Sequence, residues 1–396
     1  MKFVLASYGT RGDIEPCAAI GRELLRRGHE VRVAAPPKML GLVASAGLTA
    51  VPFGPDAVPR DEDLMRFSNT QNPISMLSAF VEYAIQLWLD MGTTLSALAV
   101  GADLILTGMA DKQGLAGNVA EYYKIPLAVL HCYPIPEFPS MPPTLSWLDA
   151  RITREAEDAH RRALGLPAVR GLSRSLEIQA YDKCCFPGLA AEWAQRGERR
   201  PFVGALSLEL ATDADDEVLS WIATGTPPIY FGFGSTPIAS PAATVDAVSA
   251  ACMDLGERAL IYLDIPGFAD IPHPDHIKVV GTLDYATIFP ACRAVVHHGG
   301  AGTTAAGMRA GLPALILWVG HDQPIWAAAV ERLNVGRAQP ISITTRESLV
   351  EGLRSILAPE CVRRARNVAT LLTKPAESAV RAADLLEDTA RLGRVS

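Results

Sequence analysis

The segment best suited to hold an anion is residues 297–304, which read His-His-Gly-Gly-Ala-Gly-Thr-Thr. An apolar stretch precedes it and a helical pattern follows at 305–310. Glycines let a ligand approach the backbone, and the start of a helix offers free N–H groups with partial positive charge. The segment therefore predicts a diphosphate site, with a turn that binds nothing as the competing interpretation. It is neither a P-loop nor the G-x-G-x-x-G dinucleotide pattern.

An acid and an amide, Asp322 and Gln323, follow the apolar stretch 314–319. Open α/β sheets bind ligands at the carboxyl ends of their strands. A carboxylate beside an amide can accept from and donate to the vicinal hydroxyls of a sugar. A helix N-cap at Asp322 explains the same residue types equally well. The spacing leaves both interpretations open.

A third polar segment, residues 8–16, follows the first apolar stretch of the chain and contains Thr10, Arg11, Asp13 and Glu15. Acids at the start of a helix usually serve as caps and complement the helix dipole, and the residues alone favour that explanation for Asp13. The alternative makes Asp13 a general base that faces a cleft. Thr10 and Arg11 would then reach phosphates from the same side.

Two similar units position these segments. Residues 2–35 and 229–263 each read as strand, glycine turn, helix and strand, which is typical of a parallel α/β sheet. Each unit opens its own domain. We place an N-terminal domain at 1–205, a linker to about 215, a C-terminal domain at 216–375 and a final helical segment at 376–396. The polar or proline-rich stretches 56–75 and 133–143 are predicted loops.

Composition excludes several classes of protein. The 396 residues carry 36 Lys and Arg against 43 Asp and Glu, a net charge of −7, which argues against a nucleic-acid-binding protein. No apolar stretch is long enough to span a membrane, and the first apolar run is too short for a signal peptide. The seven cysteines show no disulfide or zinc-ligand spacing, which favours reduced thiols in the cytoplasm.

Three glycine-containing segments together resemble family 1 glycosyltransferases of the GT-B fold. They are Gly9-Thr10-Arg11-Gly12-Asp13-Ile14-Glu15-Pro16, Gly232-Phe233-Gly234-Ser235 and residues 297–304. The likeness covers nearly the whole chain and is closest to bacterial natural-product and glycolipid glycosyltransferases and to sterol glucosyltransferases. It implies two Rossmann-like domains that face each other across a cleft, with the final helix crossing back onto the N-terminal domain.

The resemblance also assigns residues to roles. It implies that Asp13 deprotonates the hydroxyl of the acceptor and that Asp322 and Gln323 bind the donor sugar. Thr282 and Leu283 would lie near the nucleobase. The donor diphosphate would be held by His297, Gly300, Gly302, Thr303 and Ser235, with Thr10 and Arg11 on the opposite wall.

The predicted activity is inverting transfer of a hexose from a nucleoside diphosphate sugar to a hydroxyl of a hydrophobic small molecule. Asp322-Gln323 favours UDP-glucose over a dTDP-sugar. No Asp-x-Asp metal site is evident, so we expect that no metal is needed, and no cofactor is expected beyond the donor itself. A non-catalytic auxiliary protein that activates a partner enzyme is the alternative. A nucleotide-sugar epimerase or a nicotinamide-dependent oxidoreductase is disfavoured, the latter because G-x-G-x-x-G is absent.

The acceptor is the least defined part of the prediction. Aromatic and methionine side chains in the N-terminal half suit a flat apolar molecule, but helical spacing makes most of them ordinary core residues. His131 and Asp111 either line this region or are structural, and His321 stands where sterol-type relatives usually have glycine. Peripheral membrane contact and the oligomeric state are left open. The apolar candidates are Phe67, Met76, Leu77, Phe80, Trp88, Tyr133, Phe138 and Trp147.

Overall fold

The computed structural model describes eight stretches of the chain. They are residues 1–56, 73–108, 113–134, 143–168, 175–196, 200–234, 240–263 and 272–393. Ser235, Asp111, Phe67 and Phe138 lie outside these stretches, as do most of the two predicted loops.

Six parallel strands form the N-terminal sheet. Its spatial order is β3-β2-β1-β4-β5-β6, so the direction of winding reverses between β1 and β4. The strands are β1 (Lys2–Ala6), β2 (Glu30–Ala35), β3 (Thr49–Pro52), β4 (Leu104–Thr107), β5 (Leu127–His131) and β6 (Leu176–Gln179).

Six further parallel strands form the C-terminal sheet in the equivalent order, β9-β8-β7-β10-β11-β12, which reverses between β7 and β10. The predicted fold class, two doubly wound α/β domains, is thereby confirmed. The strands are β7 (Ile229–Gly232), β8 (Ala259–Tyr262), β9 (Ile277–Val280), β10 (Ala294–His297), β11 (Ala314–Trp318) and β12 (Gly336–Pro340).

Helices connect the strands and cover both faces of each sheet, because consecutive parallel strands need a crossover. Those of the first half are α1 (Arg11–Arg26), α2 (Leu40–Ser45), α3 (Pro73–Ala99), α4 (Gln113–Tyr123), α5 (Pro143–Ala163) and α6 (Leu189–Gln195). The second half has α7 (Asp215–Ala223), α8 (Pro241–Met253), α9 (Tyr285–Ile288), α10 (Ala301–Arg309), α11 (Gln323–Arg332), α12 (Arg346–Leu357), α13 (Pro359–Ala369) and α14 (Pro375–Gly393).

Strand β1 shows why the sheet strands are continuous apolar runs. Phe3 and Leu5 belong to the core on the α1 side of the sheet, and Val4 and Ala6 belong to the core on the opposite side. All four are fully buried, because helices cover both faces. The chain emerges into solvent only at Tyr8, where the polar segment begins.

Helix α14 packs against α1 of the N-terminal half. Ala382 and Leu386 are fully buried in the same core as Phe3 and Leu5. Arg27, just after α1, also pairs with Asp384 at 2.7 Å and with Glu387 at 3.1 Å. No helix among the described residues is long and apolar enough to cross a membrane.

A single arginine on α10 joins the two chain segments that connect the halves. The guanidinium of Arg309 donates to the carbonyl of Ala205 and to the hydroxyl of Ser207, 3.4 Å away, in the first connection. Its Nε donates to the carbonyl of Thr373 at 3.0 Å in the second connection. Asp182 of the N-terminal half accepts the N–H of Thr373 at 2.8 Å. These bonds fix α10 relative to both connecting segments.

Candidate active site

The candidate residues converge on the carboxyl ends of the strands around the two reversal points. Open α/β sheets bind ligands in the crevice at such points. Asp13 follows β1, His297 ends β10, and Asp322 follows β11. The charge of Asp13 acts on Asp322, so the two carboxylates lie near each other although they belong to different halves.

Asp13 is the third residue of α1, and its carboxylate is bonded to the turn before the helix. Its Oδ2 accepts from the backbone N–H of Thr10 at 2.7 Å and from the Thr10 hydroxyl at 3.1 Å. Gly9 makes this contact possible, because a Cβ there would lie 2.2 Å from the same oxygen, and its φ of +140° also disfavours other residues. The expected capping is therefore present. It holds a half-buried carboxylate at the rim of the cleft.

Arg11 is held beside the cleft by an acid one turn further along α1. Its Nε donates to Glu15 at 2.6 Å, and the other carboxylate oxygen of Glu15 accepts the N–H of Leu208 at 3.0 Å. Burial lowers the pKa of Arg11, but Glu15 and the nearby Tyr285 together raise it by more than burial lowers it. The net shift of the pKa is therefore upward. Arg11 therefore keeps its positive charge near the C-terminal half.

His297 is fully buried at the end of β10 and acts as a neutral group. Its Nδ1 accepts the N–H of Gly299 at 3.0 Å, which leaves the proton of the neutral ring on Nε2. Burial, reinforced by His298, lowers the pKa of His297 to about 3. Among the described residues its Nε2 has no hydrogen-bond partner. A buried donor without a partner costs roughly 1–3 kcal/mol, so an acceptor atom of a ligand would stabilise it.

The turn from β10 into α10 exposes backbone N–H groups. Gly299 has a φ of +97°, and a Cβ there would lie 2.9 Å from Ile316 Cγ2, so the turn needs glycine. Gly302 is exposed, and nothing lies within 4 Å of a Cβ built there. Thr304 is buried and donates to the carbonyl of Gly300 at 2.8 Å, within the helix backbone. The first turn of α10 therefore remains open to an anion.

His298 was missed by the sequence analysis, which assigned a role only to the first histidine of the pair. Its ring lies between two glycine turns: a Cβ at Gly234 would be 2.9 Å from its Cε1, and one at Gly300 would be 2.6 Å from its Nε2. Burial lowers the pKa of His298. Glycines on both segments leave room for a large ring, but only the pairing of β7 with β10 brings those glycines to the same place.

Asp322 occupies the N-cap position of α11, but its side chain makes no capping hydrogen bond. Burial raises the pKa of Asp322 to about 6, and the charge of Asp13 adds to the rise. The next side chain, Gln323, accepts from the N–H groups of Val319 at 2.7 Å and Gly320 at 3.3 Å, which fixes the loop. Side-chain capping therefore does not explain Asp322, and the acceptor end of the Gln323 amide is already used.

His321, beside these residues, has a left-handed φ of +57°. Glycine adopts that conformation without strain, which gives a physical reason why a glycine would suit this position. The His321 side chain is exposed. It belongs to the loop that presents Asp322.

The residues predicted near the nucleobase lie at the carboxyl end of β9. Thr282 is exposed, whereas the side chain of Leu283 is only 3% exposed and belongs to the core of the C-terminal half. The structure therefore brings Thr282 to the surface and does not bring the Leu283 side chain there.

His131 ends β5 and pairs with an acid of the neighbouring strand. Its Nε2 is hydrogen-bonded to Glu177, while its Nδ1 is buried with no partner among the described residues. Glu177 also accepts from Ser175, and despite burial these bonds lower its pKa. An acid of the neighbouring strand therefore holds His131 in place.

The apolar side chains considered for the acceptor divide into different environments. Trp88 is 4% exposed and belongs to the core of the N-terminal half, as the helical spacing predicts. Tyr133 is half-buried against the core of the C-terminal half, and Trp147 is 60% exposed. They do not form one surface. Among the described residues no group of three or more His, Cys, Asp or Glu side chains is arranged to hold a metal ion.

Comparison with known families agrees with this geometry. Residues 3–135 match the N-terminal domain of glycosyltransferase family 28, and residues 250–383 match the C-terminal domain of the erythromycin biosynthesis protein CIII-like family. The chain is a glycosyltransferase and belongs to the family 1 enzymes of the GT-B fold.

Several relatives align over the full length. An uncharacterized glycosyltransferase of Mycobacterium tuberculosis is 54% identical over 421 residues, covering 100% of both chains. Glycosyltransferase GtfE of Amycolatopsis orientalis is 32% identical, covering 98% of this chain and 97% of the relative. The spinosyn rhamnosyltransferase SpnG has the same fold, with a TM-score of 0.71 at 17% identity and coverage of 97% and 100%. VinC, solved with dTDP, gives 0.67 at 18% identity and full coverage of both chains.

Proposed function

We propose that the protein is an inverting, metal-independent glycosyltransferase that moves a hexose from a nucleoside diphosphate sugar to a hydroxyl of a hydrophobic small molecule. The observation that carries this proposal is the pair of carboxylates near each other from the two halves, Asp13 on α1 and Asp322 before α11. Asp13 is suited to take a proton from the acceptor, and Asp322 is suited to bind the donor sugar.

The donor diphosphate lies against the first turn of α10. The free N–H groups of this turn, the Nε2 proton of His297 and the charge of Arg11 all favour a ligand with negative charge. Donors that are already oriented toward a developing charge contribute about 3–4 kcal/mol each to stabilising a transition state. They replace the charge that a cation would otherwise supply to the leaving diphosphate.

Asp13 is the general base. The acceptor oxygen attacks the anomeric carbon from the face opposite the diphosphate while its proton passes to the Asp13 carboxylate. The bond between the anomeric carbon and the diphosphate oxygen breaks, and both bonding electrons leave with the nucleoside diphosphate. Attack from the opposite face inverts the anomeric configuration. Asp322 and Gln323 orient the sugar through its hydroxyls, and their pairing favours UDP-glucose.

The test is a panel of UDP- and dTDP-sugars incubated with flavonoid, sterol and polyketide alcohols, with glycoside detected by mass spectrometry. We expect a β-glycoside from an α-linked donor, identified by the anomeric coupling constant. An α-glycoside would show that the reaction does not invert. Activity should persist in EDTA. Complete loss in EDTA with recovery on adding Mg²⁺ would contradict metal independence.

A further inference from the structure

Three hydroxyl groups from three elements of the C-terminal half form a row that runs from the core to the cleft. Tyr230 on β7 is fully buried, and its Oη lies 3.0 Å from the Oη of Tyr285, the first residue of α9. The side chain of Thr303, in the first turn of α10, is also hydrogen-bonded to Tyr285. Tyr285 is thus the middle member of the row.

The phenol of Tyr285 is rigidly placed. Its ring stacks on Phe289 with 4.4 Å between centroids and 13° between planes. The preceding residue, Asp284, caps α9: its carboxylate accepts from Ala286 N at 3.2 Å and from the Thr287 hydroxyl at 2.7 Å. Both the backbone and the ring of Tyr285 are therefore fixed before any ligand binds.

The three hydroxyls have one proton more than the hydrogen bonds between them need. Three hydroxyls carry three protons, and the two contacts within the row need only two. The contact between the two phenols fits either direction of donation. When Tyr230 and Thr303 both donate to the Tyr285 oxygen, the proton of Tyr285 is the one left for an acceptor outside the row.

The surroundings of this phenol favour an anion. Arg11, on the N-terminal half, lies near enough for its charge to act on Tyr285. Glu15, which forms an ion pair with Arg11 and also accepts the N–H of Leu208, acts on Tyr285 in the opposite direction, but the effect of Arg11 is the larger of the two. On the other side stands the first turn of α10, which contains Thr303. The Tyr285 hydroxyl is therefore bonded to a residue of a helix start and lies within the influence of a guanidinium, and both favour an anion.

We propose that Tyr285 donates a hydrogen bond to the diphosphate of the donor substrate, and that Thr303 and Tyr230 position its phenol. The inference rests on the proposed function, which supplies a nucleoside diphosphate as ligand. It also changes the expected role of Thr303, whose hydroxyl proton is directed to Tyr285 and whose contribution to the anion comes through the tyrosine.

The experiment measures binding by isothermal titration calorimetry, with UDP and dTDP as diphosphate probes and with uridine and thymidine as nucleosides that lack it. In Tyr285→Phe we expect affinity for the diphosphate probe to fall about 10- to 100-fold, since a hydrogen bond to a charged group is lost. Affinity for the nucleoside should not change. An equal loss for both probes would assign Tyr285 to the nucleoside and overturn the proposal.

A second variant separates binding from folding. Tyr285→Phe leaves the buried hydroxyl of Tyr230 without its partner and is expected to lower the melting temperature. Replacing both partners with phenylalanine removes the unpaired group, so the Tyr230→Phe/Tyr285→Phe protein should regain stability. Its affinity for UDP should stay low. Recovery of wild-type affinity in the double variant would show that Tyr285 acts only through the fold.

The outcomes also separate this inference from the proposed function. If the wild-type protein binds neither UDP nor dTDP, the proposed donor and this inference are overturned together. If the wild type binds one of them and Tyr285→Phe binds it equally well, only the role of Tyr285 is overturned.

Discussion

The two halves of the molecule have the same order of strands but present different chemistry at their reversal points. In the N-terminal half the first strand leads through Gly9 to a helix whose third residue is an acid, Asp13. In the C-terminal half the first strand leads to Gly232 and Gly234, and the fourth strand ends in a buried histidine, His297. The shared topology places a crevice in each half, and the side chains that follow the strands decide what each crevice can do.

The two key side chains also differ in how they relate to water and to protons. Asp13 is half-buried and ionisable at the rim of the cleft, whereas His297 has no exposed surface and a pKa of about 3. A carboxylate at the rim can take a proton from a substrate. A buried neutral imidazole can only donate its fixed N–H. One half is therefore suited to proton transfer and the other to holding an anion without changing its own charge.

The largest expected effect comes from Asp13→Asn. A general base contributes about 10²- to 10⁴-fold to the rate, so glycoside formation should fall by that factor while UDP affinity is kept. The amide oxygen of asparagine can still accept the N–H of Thr10, so the melting temperature should change little. The measurement compares transfer rate, UDP affinity and melting temperature in the two proteins. If Asp13→Asn transfers sugar at the wild-type rate, Asp13 is not the general base, and the N-terminal half is not the half that takes up the proton.

The second prediction tests the C-terminal half, through the N–H that His297 offers to the donor diphosphate. In His297→Asn the amide oxygen can replace Nδ1 as the acceptor for Gly299 N, while the donor at Nε2 is lost. We expect donor affinity to fall about 10- to 100-fold, because one hydrogen bond to a charged group is lost. His297→Ala also removes the acceptor and should destabilise the turn in addition.

The pH dependence of donor affinity provides a control for His297. Because the pKa of His297 is about 3, its ring is neutral throughout pH 5–8. The ratio of wild-type to variant affinity should therefore be the same at pH 5 and pH 8, as measured by calorimetry. A ratio that increases at pH 5 would mean that a charged imidazolium binds the diphosphate, contrary to the buried neutral ring.

The sequence predicts the parts of the site that depend on neighbours along the chain. The turn before Asp13 and the glycines before α10 have local signals, because glycine, threonine and acids mark turns and helix starts. The alternation of apolar runs and helical patterns likewise predicts two parallel sheets, which is the fold observed.

The parts that depend on neighbours across the sheet could not be read in this way. The ring of His298 fits beside Gly234 because β7 and β10 are adjacent strands, with Gly232 opposite His297. Tyr285 reaches Thr303 only because α9 and α10 pack together. Arg309 has no local signal at all, since its partners are more than sixty residues away in both directions. Register and packing determine these contacts.

The smallest expected effect concerns Asp322, the carboxylate of the C-terminal half that lies near Asp13. Its pKa is raised from 3.8 to about 6 by burial and by the Asp13 charge. Between about pH 4 and pH 6 the folded protein keeps a proton that the unfolded chain has lost, so stability falls as pH rises through this window. Above about pH 6 Asp322 is ionised in the folded protein as well, and the full loss of folding free energy remains. Allowing for solvent screening of a half-buried group, we expect it to be about 1–2 kcal/mol.

Asp322→Asn removes this charge, so the variant should be more stable than wild type at pH 8 by about 1–2 kcal/mol and equally stable at pH 4. Urea unfolding at the two pH values measures the difference. Asp384→Asn is the matched control, because that aspartate is 58% exposed and its partner Arg27 would lose a surface ion pair, so no gain is expected. A gain at pH 8 together with weaker donor-sugar binding would show that Asp322 is retained for the substrate at the expense of stability. If Asp322→Asn is no more stable than wild type at pH 8, the charge of Asp322 does not destabilise the folded protein. Asp13 would then be the one carboxylate of this pair with a proposed role that depends on its ionisation.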